Sequence, residues 1–145
     1  AERGYHVELW HPSAMPKTPL MVAAGKFVIT PMKDRIRLAG IVEFGGLKAA
    51  ASEAPFKLLM HNVRQYMPDL KWKEETRWMG HRPAPTDSIP VIGEVPGIKG
   101  VFMGFGHHHV GLTGGPKTGQ LLAMLASDIQ PNMDLSAYDI RRFSG

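Results

Sequence analysis

The order of apolar and polar positions divides the chain into segments of two periods. Tyr5, Val7 and Leu9 alternate with His6, Glu8 and Trp10, the pattern of a half-buried strand. His11 to Pro19 carries three prolines and reads as a connection. Leu20 to Ile29 is strand-like with a break at Ala23-Ala24-Gly25-Lys26. Thr30-Pro31-Met32-Lys33-Asp34 is expected to turn the chain into a further strand, Arg35 to Phe44, which should pair with its predecessor as an antiparallel hairpin ended by Gly45-Gly46. The period then changes. Phe56, Leu59, Met60, Val63 and Met67 recur at helical spacing and predict a helix over 54–67, with Ser52 as its cap, Pro55 in its first turn and Pro68 just past its end. Its methionines read as core. Leu70 to Gly80 returns as a long strand. Strands flanking one helix predict an α+β layer, an antiparallel or mixed sheet with a helix packed on one face.

Beyond residue 80 the pattern is different. Pro83 to Gly97 holds four prolines, which predicts an extended crossing segment rather than helix or central strand. Val101, Phe102, Met103 and Phe105 form an apolar run of strand length. Glycines follow at 104, 106, 111, 114 and 115, and Leu121, Leu122, Leu125 and Ile129 mark the apolar face of a last helix. Thr113 is the expected N-cap, Pro116 suits the first turn, and the helix should end near Ile129. A short closing helix is expected over 135–143. Strand, glycine turn and helix together place free N–H groups and the positive end of a helix dipole behind a turn that lets a ligand approach closely, a site for an anion or an electron-rich carbonyl. Read alone, the same pattern also describes a tightly packed strand–helix corner. The chain thus divides into residues 1–80, a sheet domain, and residues 81–145.

Composition narrows the chemistry. The 17 basic and 13 acidic residues are spread along the 145 positions with no dense Lys/Arg block, which speaks for a mixed surface charge and against nucleic acid as a partner. With no cysteine, disulfides, thiolate catalysis and Cys-ligated zinc are excluded. No apolar run reaches the length of a membrane-spanning helix. Neither a G-x-S-x-G elbow nor a phosphate-binding P-loop occurs. His107, His108 and His109 are consecutive, and neighbours in a chain point in different directions, so a metal site is not expected there. Asp87 reads as a turn former.

Two stretches carry a resemblance. Gly80-His81-Arg82-Pro83, continuing to Asp87, Pro90, Ile92 and Gly93, matches G-x-R-P-x-x-x-D-x-x-P-x-I-G. Gly106-His107, continuing through Gly111, Thr113, Pro116, Thr118, Gly119 and Leu121, matches G-H-x-x-x-G-x-T-x-x-P-x-T-G-x-L. Together they resemble the C-terminal signature of the FAD-dependent amino acid oxidases and dehydrogenases. The opening Glu2-Arg3-Gly4-Tyr5-His6 and the segment from Thr30 to Phe44 are similar to the bacterial D-amino acid dehydrogenase branch. The family's dinucleotide fingerprint G-x-G-x-x-G is not met: Gly104-Phe105-Gly106 begins it, but His109 stands where the third glycine would fall. The Rossmann core is therefore absent. The resemblance implies a C-terminal fragment: a substrate-binding sheet domain (1–80), and an element (81–145) that returns to an FAD domain supplied by a missing N-terminal part or a partner chain.

The resemblance also implies an activity. It is oxidation of amino acids, D-amino acids foremost, to imino and keto acids by hydride transfer to FAD in the complete protein, with the fragment alone inactive. The alternatives are a glycine-, sarcosine- or proline-type amine oxidase, or a non-catalytic subunit that completes a flavin site in a partner. The partner is a small amino acid carboxylate, whose natural clamp is a planar guanidinium. Arg82 stands at the family's clamp position, although from the residues alone it reads as a structural arginine at a strand end. Tyr5 and His6 would line the pocket by resemblance, or else be sheet residues. His107 and His109 would line it at flavin level. Gly106, Val110, Gly111, Leu112 and Thr113 would contact the cofactor, largely through backbone N–H groups that favour the electron-rich reduced flavin. No residue is marked as catalytic. The implied location is cytoplasmic, with at most a peripheral association at the inner face of a bacterial plasma membrane.

Overall fold

A computed structural model describes residues 1–144. The chain forms two compact units, residues 1–81 and 82–145.

The first unit contains strands β1 (Glu2–Trp10), β2 (Leu20–Val22), β3 (Phe27–Met32), β4 (Arg35–Glu43) and β5 (Glu74–Arg82) and helix α1 (Glu53–Tyr66). The strands form one sheet in the order β2-β3-β4-β1-β5, with β2–β3, β3–β4 and β1–β4 antiparallel. The α+β layer predicted from periodicity is the observed one. Alternation fixes which side is core. Tyr5, Val7 and Leu9 of β1, Phe27 and Ile29 of β3 and Ile36 and Leu38 of β4 all point to one face, where Phe56, Leu59 and Val63 of α1 close over them. A bulge between Tyr5 and His6 shifts the β1–β4 register, so that Tyr5 faces Ile41 and His6 faces Ala39. The residue passed over is Gly40, at φ +133, and a Cβ there would lie 2.8 Å from the carbonyl oxygen of Lys26. Only glycine fits that bend.

Two expectations in this unit are revised. Pro31 does not end a strand but pairs with Ile36 inside the β3–β4 ladder, and the turn falls at Lys33-Asp34. Its missing N–H is tolerated because β2 reaches only to Ile29, which leaves β3 without a neighbour on that side. Ser52 stands at the N-cap of α1, but its side chain makes no capping bond. Its N–H donates instead to the Tyr5 hydroxyl at 3.1 Å, and that hydroxyl donates to Glu43 Oε2 at 2.6 Å. Fully buried Arg3 pairs with the same carboxylate at 3.3 Å and donates to the carbonyls of Ala49 and Ala50. Glu43 therefore ties the loop before α1 to β1 and β4.

The second unit holds a two-stranded antiparallel sheet, β6 (Val91–Glu94) and β7 (Phe102–Phe105), and helix α2 (Gly111–Ala126) packed on it. Val91, Ile92, Leu121 and Thr118 are its buried positions. Strand β6 lies inside the segment expected to be only an extended crossing, because the prolines at 83, 85, 90 and 96 flank the four paired residues without entering them. Helix α2 ends at Ala126, short of Ile129, and two 3-10 turns, Ser136–Tyr138 and Ile140–Phe143, stand where a closing helix was expected. Arg142 donates to both oxygens of Asp87, at 2.6 and 3.3 Å, and to the Ile89 carbonyl at 2.6 Å. Asp87 also accepts from the Ile89 N–H, the turn role read from sequence.

Removing the Tyr5 hydroxyl leaves Glu43 and the Ser52 N–H short of a partner, so Tyr5→Phe should lower stability by about 1–2 kcal/mol in urea unfolding. The hydrogen bonds from Ser52 and Tyr5, with the Arg3 charge, hold the Glu43 carboxyl below its ordinary pKa. A depressed folded-state pKa gives stability that is complete above the unfolded value of about 4.3 and is lost as pH falls through the folded value. Melting temperature should therefore fall below about pH 4, and Glu43→Gln should make that decline shallower.

Candidate functional site

The face of the sheet opposite α1 is polar and aromatic. Alternation brings His6, Glu8 and Trp10 of β1 to it, with Arg35 and Arg37 of β4. The buried Glu8 carboxylate accepts from Arg37 Nη2 at 2.7 Å and lies 2.9 Å from Arg35 Nε. Burial would raise the Glu8 pKa, but the hydrogen bonds from the two arginines outweigh it and the net shift is downward. Arg35 also lies over the Trp10 ring at 4.6 Å. Two guanidiniums on one carboxylate leave this patch with a surplus positive charge.

Beside it, the His6 ring stacks on Trp78 at 4.8 Å and 17°. Burial first, and then the Arg37 charge, push the His6 imidazole below its ordinary pKa, so the ring is neutral near pH 7. Trp78 is 55% exposed, and its ring lies over Gly80, where a Cβ would come 2.0 Å from Cη2. The period of β5 continues this face through Thr76, Trp78, Gly80 and Arg82. Thr76 is fixed there by the indole N–H of Trp10, which donates to it at 3.1 Å. Arg82 closes the strand, half-buried.

In the second unit the chain leaves β7 at Gly106, whose φ is +84 and where a Cβ would lie 2.6 Å from the Pro85 ring. A 3-10 turn, His108–Val110, runs directly into α2. The helix therefore begins at Gly111, not after Thr113. Val110 is its N-cap residue, no side chain caps it, and Thr113 sits in its first turn. Pro116 lies inside the helix rather than at its start, and it deprives the Leu112 carbonyl of its usual donor. Val110 and Leu112 are 61% and 98% exposed. An uncapped first turn, approached through a left-handed glycine and flanked by exposed apolar side chains, has the donor set for the electron-rich carbonyl edge of a flat heteroaromatic ring.

Comparison with known proteins decides the family. The FAD dependent oxidoreductase family matches residues 1–125. The chain belongs to this family. It is 35% identical over 146 residues to the D-amino-acid oxidase of Bradyrhizobium diazoefficiens, covering 98% of this chain and 35% of that protein. It is 30% identical over 144 residues to the D-amino acid dehydrogenase of Allorhizobium ampelinum, covering 98% of this chain and 34% of that one. The crystal structure of glycine oxidase from Geobacillus kaustophilus superposes with a TM-score of 0.77 at 25% identity, over 99% of this chain and 39% of that one. The chain thus spans about a third of the length of the curated relatives it matches.

Family membership supports FAD as cofactor of the complete protein, and the residues present fit part of it. The first turn of α2, at Gly111, Leu112 and Thr113, carries no side-chain cap and so presents backbone N–H groups of the kind an electron-rich ring edge would accept. Among the described residues, β7, which contains Gly104-Phe105, pairs antiparallel with β6 in a two-stranded sheet and not in a parallel βαβ unit.

Of the residues expected to form the substrate pocket, Tyr5 and His6 belong to the first unit, and Arg82, His107 and His109 to the second. Arg82 ends strand β5, and His6 lies on the open side of the first unit's sheet. Tyr5 does not: it is 2% exposed, packs edge-on against Phe56 at 5.1 Å, and its hydroxyl is used by Glu43 and Ser52. It is a structural residue in this chain. His107 also departs from expectation, because its ring is turned onto α2 with Nε2 2.8 Å from Thr118 Oγ1. His109 is exposed in the 3-10 turn. Sequence reading passed over Trp78, Glu8, Arg35 and Arg37. The period-two placement of His6, Glu8 and Trp10 opposite a core of Val7 and Leu9 was the available signal for this polar face.

If the indole contributes to the desolvation of His6, Trp78→Ala should move the His6 pKa up toward its ordinary value in an NMR titration. An unchanged His6 titration would show that the strand neighbours alone bury it.

Proposed function

We propose that this chain is the C-terminal part of an FAD-dependent oxidoreductase that oxidises amino acids, D-amino acids foremost, to imino acids, which water then converts to keto acids and ammonia. Two features carry the reading, each within its own unit: a polar sheet face in the first, and an uncapped helix start behind a left-handed glycine in the second, with Arg82 ending strand β5 between them in sequence. They supply the two things such a reaction asks of a protein, a fixed carboxylate and stabilisation of an electron-rich ring edge. The relatives named D-amino-acid oxidase and D-amino acid dehydrogenase support the substrate class.

FAD, when bound, accepts the electron pair released from the substrate Cα. The chain's own groups do the rest. The Arg82 guanidinium holds the substrate carboxylate through a planar two-point contact, and so fixes which Cα face is presented. Neutral His6, stacked on Trp78, is a wall of the same face and can accept or donate one hydrogen bond without adding charge. The first-turn N–H groups of Gly111, Leu112 and Thr113 stabilise negative charge at the flavin edge. In this reading the first unit is the substrate side and the second the flavin side. No helix among the described residues is long and apolar enough to cross a membrane. The reading keeps the complete protein in the cytoplasm, at most touching the inner face of a bacterial plasma membrane.

A second reading, a glycine-type amine oxidase, is supported by the fit to glycine oxidase. A substrate panel on the complete protein separates the two by whether D-alanine and larger D-amino acids or glycine turns over faster.

Loss of a charge-assisted two-point contact of about 3 kcal/mol corresponds to roughly 100-fold in affinity. Arg82→Ala in the complete protein should therefore raise KM for amino acid substrates by about that factor, and Arg82→Lys should recover only part. An unchanged KM would remove Arg82 from the site.

A further inference from the structure

We propose that His107 is a positioning residue that sets the aim of the α2 N-terminus, and through it the affinity and potential of the bound flavin. The inference rests on the reading that the first turn of α2 meets the flavin edge.

His107 grips the turn at both ends. Its main-chain carbonyl accepts from the Val110 N–H at 3.0 Å, closing the 3-10 turn that runs into α2. Its side chain reaches past that turn to the helix itself, with Nε2 2.8 Å from the Thr118 hydroxyl. The imidazole lies over Gly114, where a Cβ would sit 3.1 Å from Cδ2, and a Cβ on Gly111 would sit 3.6 Å from the His107 Cβ. Gly111, Gly114 and Thr118 fall at i, i+3 and i+7, one face of the helix, with the His107 Cβ beside the first and the ring against the other two. Thr118 is 7% exposed, and in this setting its hydroxyl depends on the imidazole as partner.

The rest of the turn is ill suited to fix a direction. Gly106 is at φ +84 and His108 at φ +48, two left-handed residues separated by His107 alone. No side chain caps α2. Between β7 and the first turn of α2, the His107–Thr118 clasp is a side-chain contact that ties the turn to the helix and so orients the N–H groups of Gly111, Leu112 and Thr113. A ring with Nε2 engaged on the helix in this way is a brace, not a pocket wall. Charge stabilisation by backbone donors depends on their aim, so loosening the brace should be felt by a bound flavin before it is felt by the fold.

The test uses the complete flavoprotein and reads FAD affinity, from recovery of free-flavin fluorescence, and the flavin midpoint potential. His107→Leu and the near-isosteric Thr118→Val should each weaken FAD binding about 10-fold and lower the potential. The double variant should be no worse than either single one, because both remove the same contact. His107→Gln, whose amide can still reach Thr118, should restore most of the affinity. Unchanged affinity and potential in Thr118→Val, or losses that multiply in the double variant, would overturn the brace. Leu112→Glu separates this inference from the reading beneath it. A carboxylate in the first turn favours the helix but opposes an electron-rich flavin edge. If Leu112→Glu leaves FAD binding intact, the flavin reading itself fails. If it weakens FAD binding while His107→Leu and Thr118→Val do not, the brace alone is wrong.

Discussion

A β-strand turns successive side chains to opposite faces, and the first unit is built on that constraint. One face must be apolar to receive α1, and Val7, Leu9, Ile36, Leu38, Phe27 and Ile29 supply it. The residues between them are then forced together on the other face. His6, Glu8, Arg35 and Arg37 gain proximity to one another because their neighbours in sequence are core. The bulge at Gly40 shifts the pairing by one residue so that Tyr5 meets Ile41 while His6 meets Ala39. Burial on one side thus creates a polar surface on the other, and the period-two placement of His6, Glu8 and Trp10 is its local signal. The same surface carries the neutral His6 ring, the exposed indole of Trp78 and, at the end of β5, Arg82.

The second unit rests on a different constraint, the unsatisfied N–H groups of a helix start. A helix that begins without a cap leaves donors for water or a ligand. Here the first turn is reached through a left-handed glycine and bordered by Val110 and Leu112, both exposed. The exposure is costly in isolation and useful against a flat ring. Further along α2, Leu121 is buried and Thr118 holds His107.

Much of this was legible in the sequence. Helical spacing from Phe56 to Met67 identified α1 to within one residue at each end, and alternation in Tyr5 to Trp10 identified β1 but not its first three residues, because both elements bury a single continuous face. What escaped depended on partners distant in the chain. Pro31 fits a strand only because β2 stops at Ile29. The Tyr5 hydroxyl is spoken for by residues 38 and 47 positions away, which the family resemblance that implied a pocket role does not reveal. Helix α2 starts two residues before Thr113 because the 3-10 turn continues into it, and a threonine with good capping chemistry is not obliged to cap. The His107–Thr118 contact spans 11 residues and folds back across the turn that precedes α2, so no helical periodicity announces it. Glu8, Arg35 and Arg37 were passed over because opposite charges on adjacent strands read as ordinary surface until register is known.

The central claim is that this chain serves the oxidation of D-amino acids at a flavin. Anaerobic mixing of the complete, FAD-loaded protein with the D- and L-forms of one amino acid, followed by the flavin's visible absorbance, tests it most directly. The account predicts that the D-form bleaches the flavin band and the L-form does not. Bleaching by the L-form alone, or no bleaching by any D-amino acid, would contradict it.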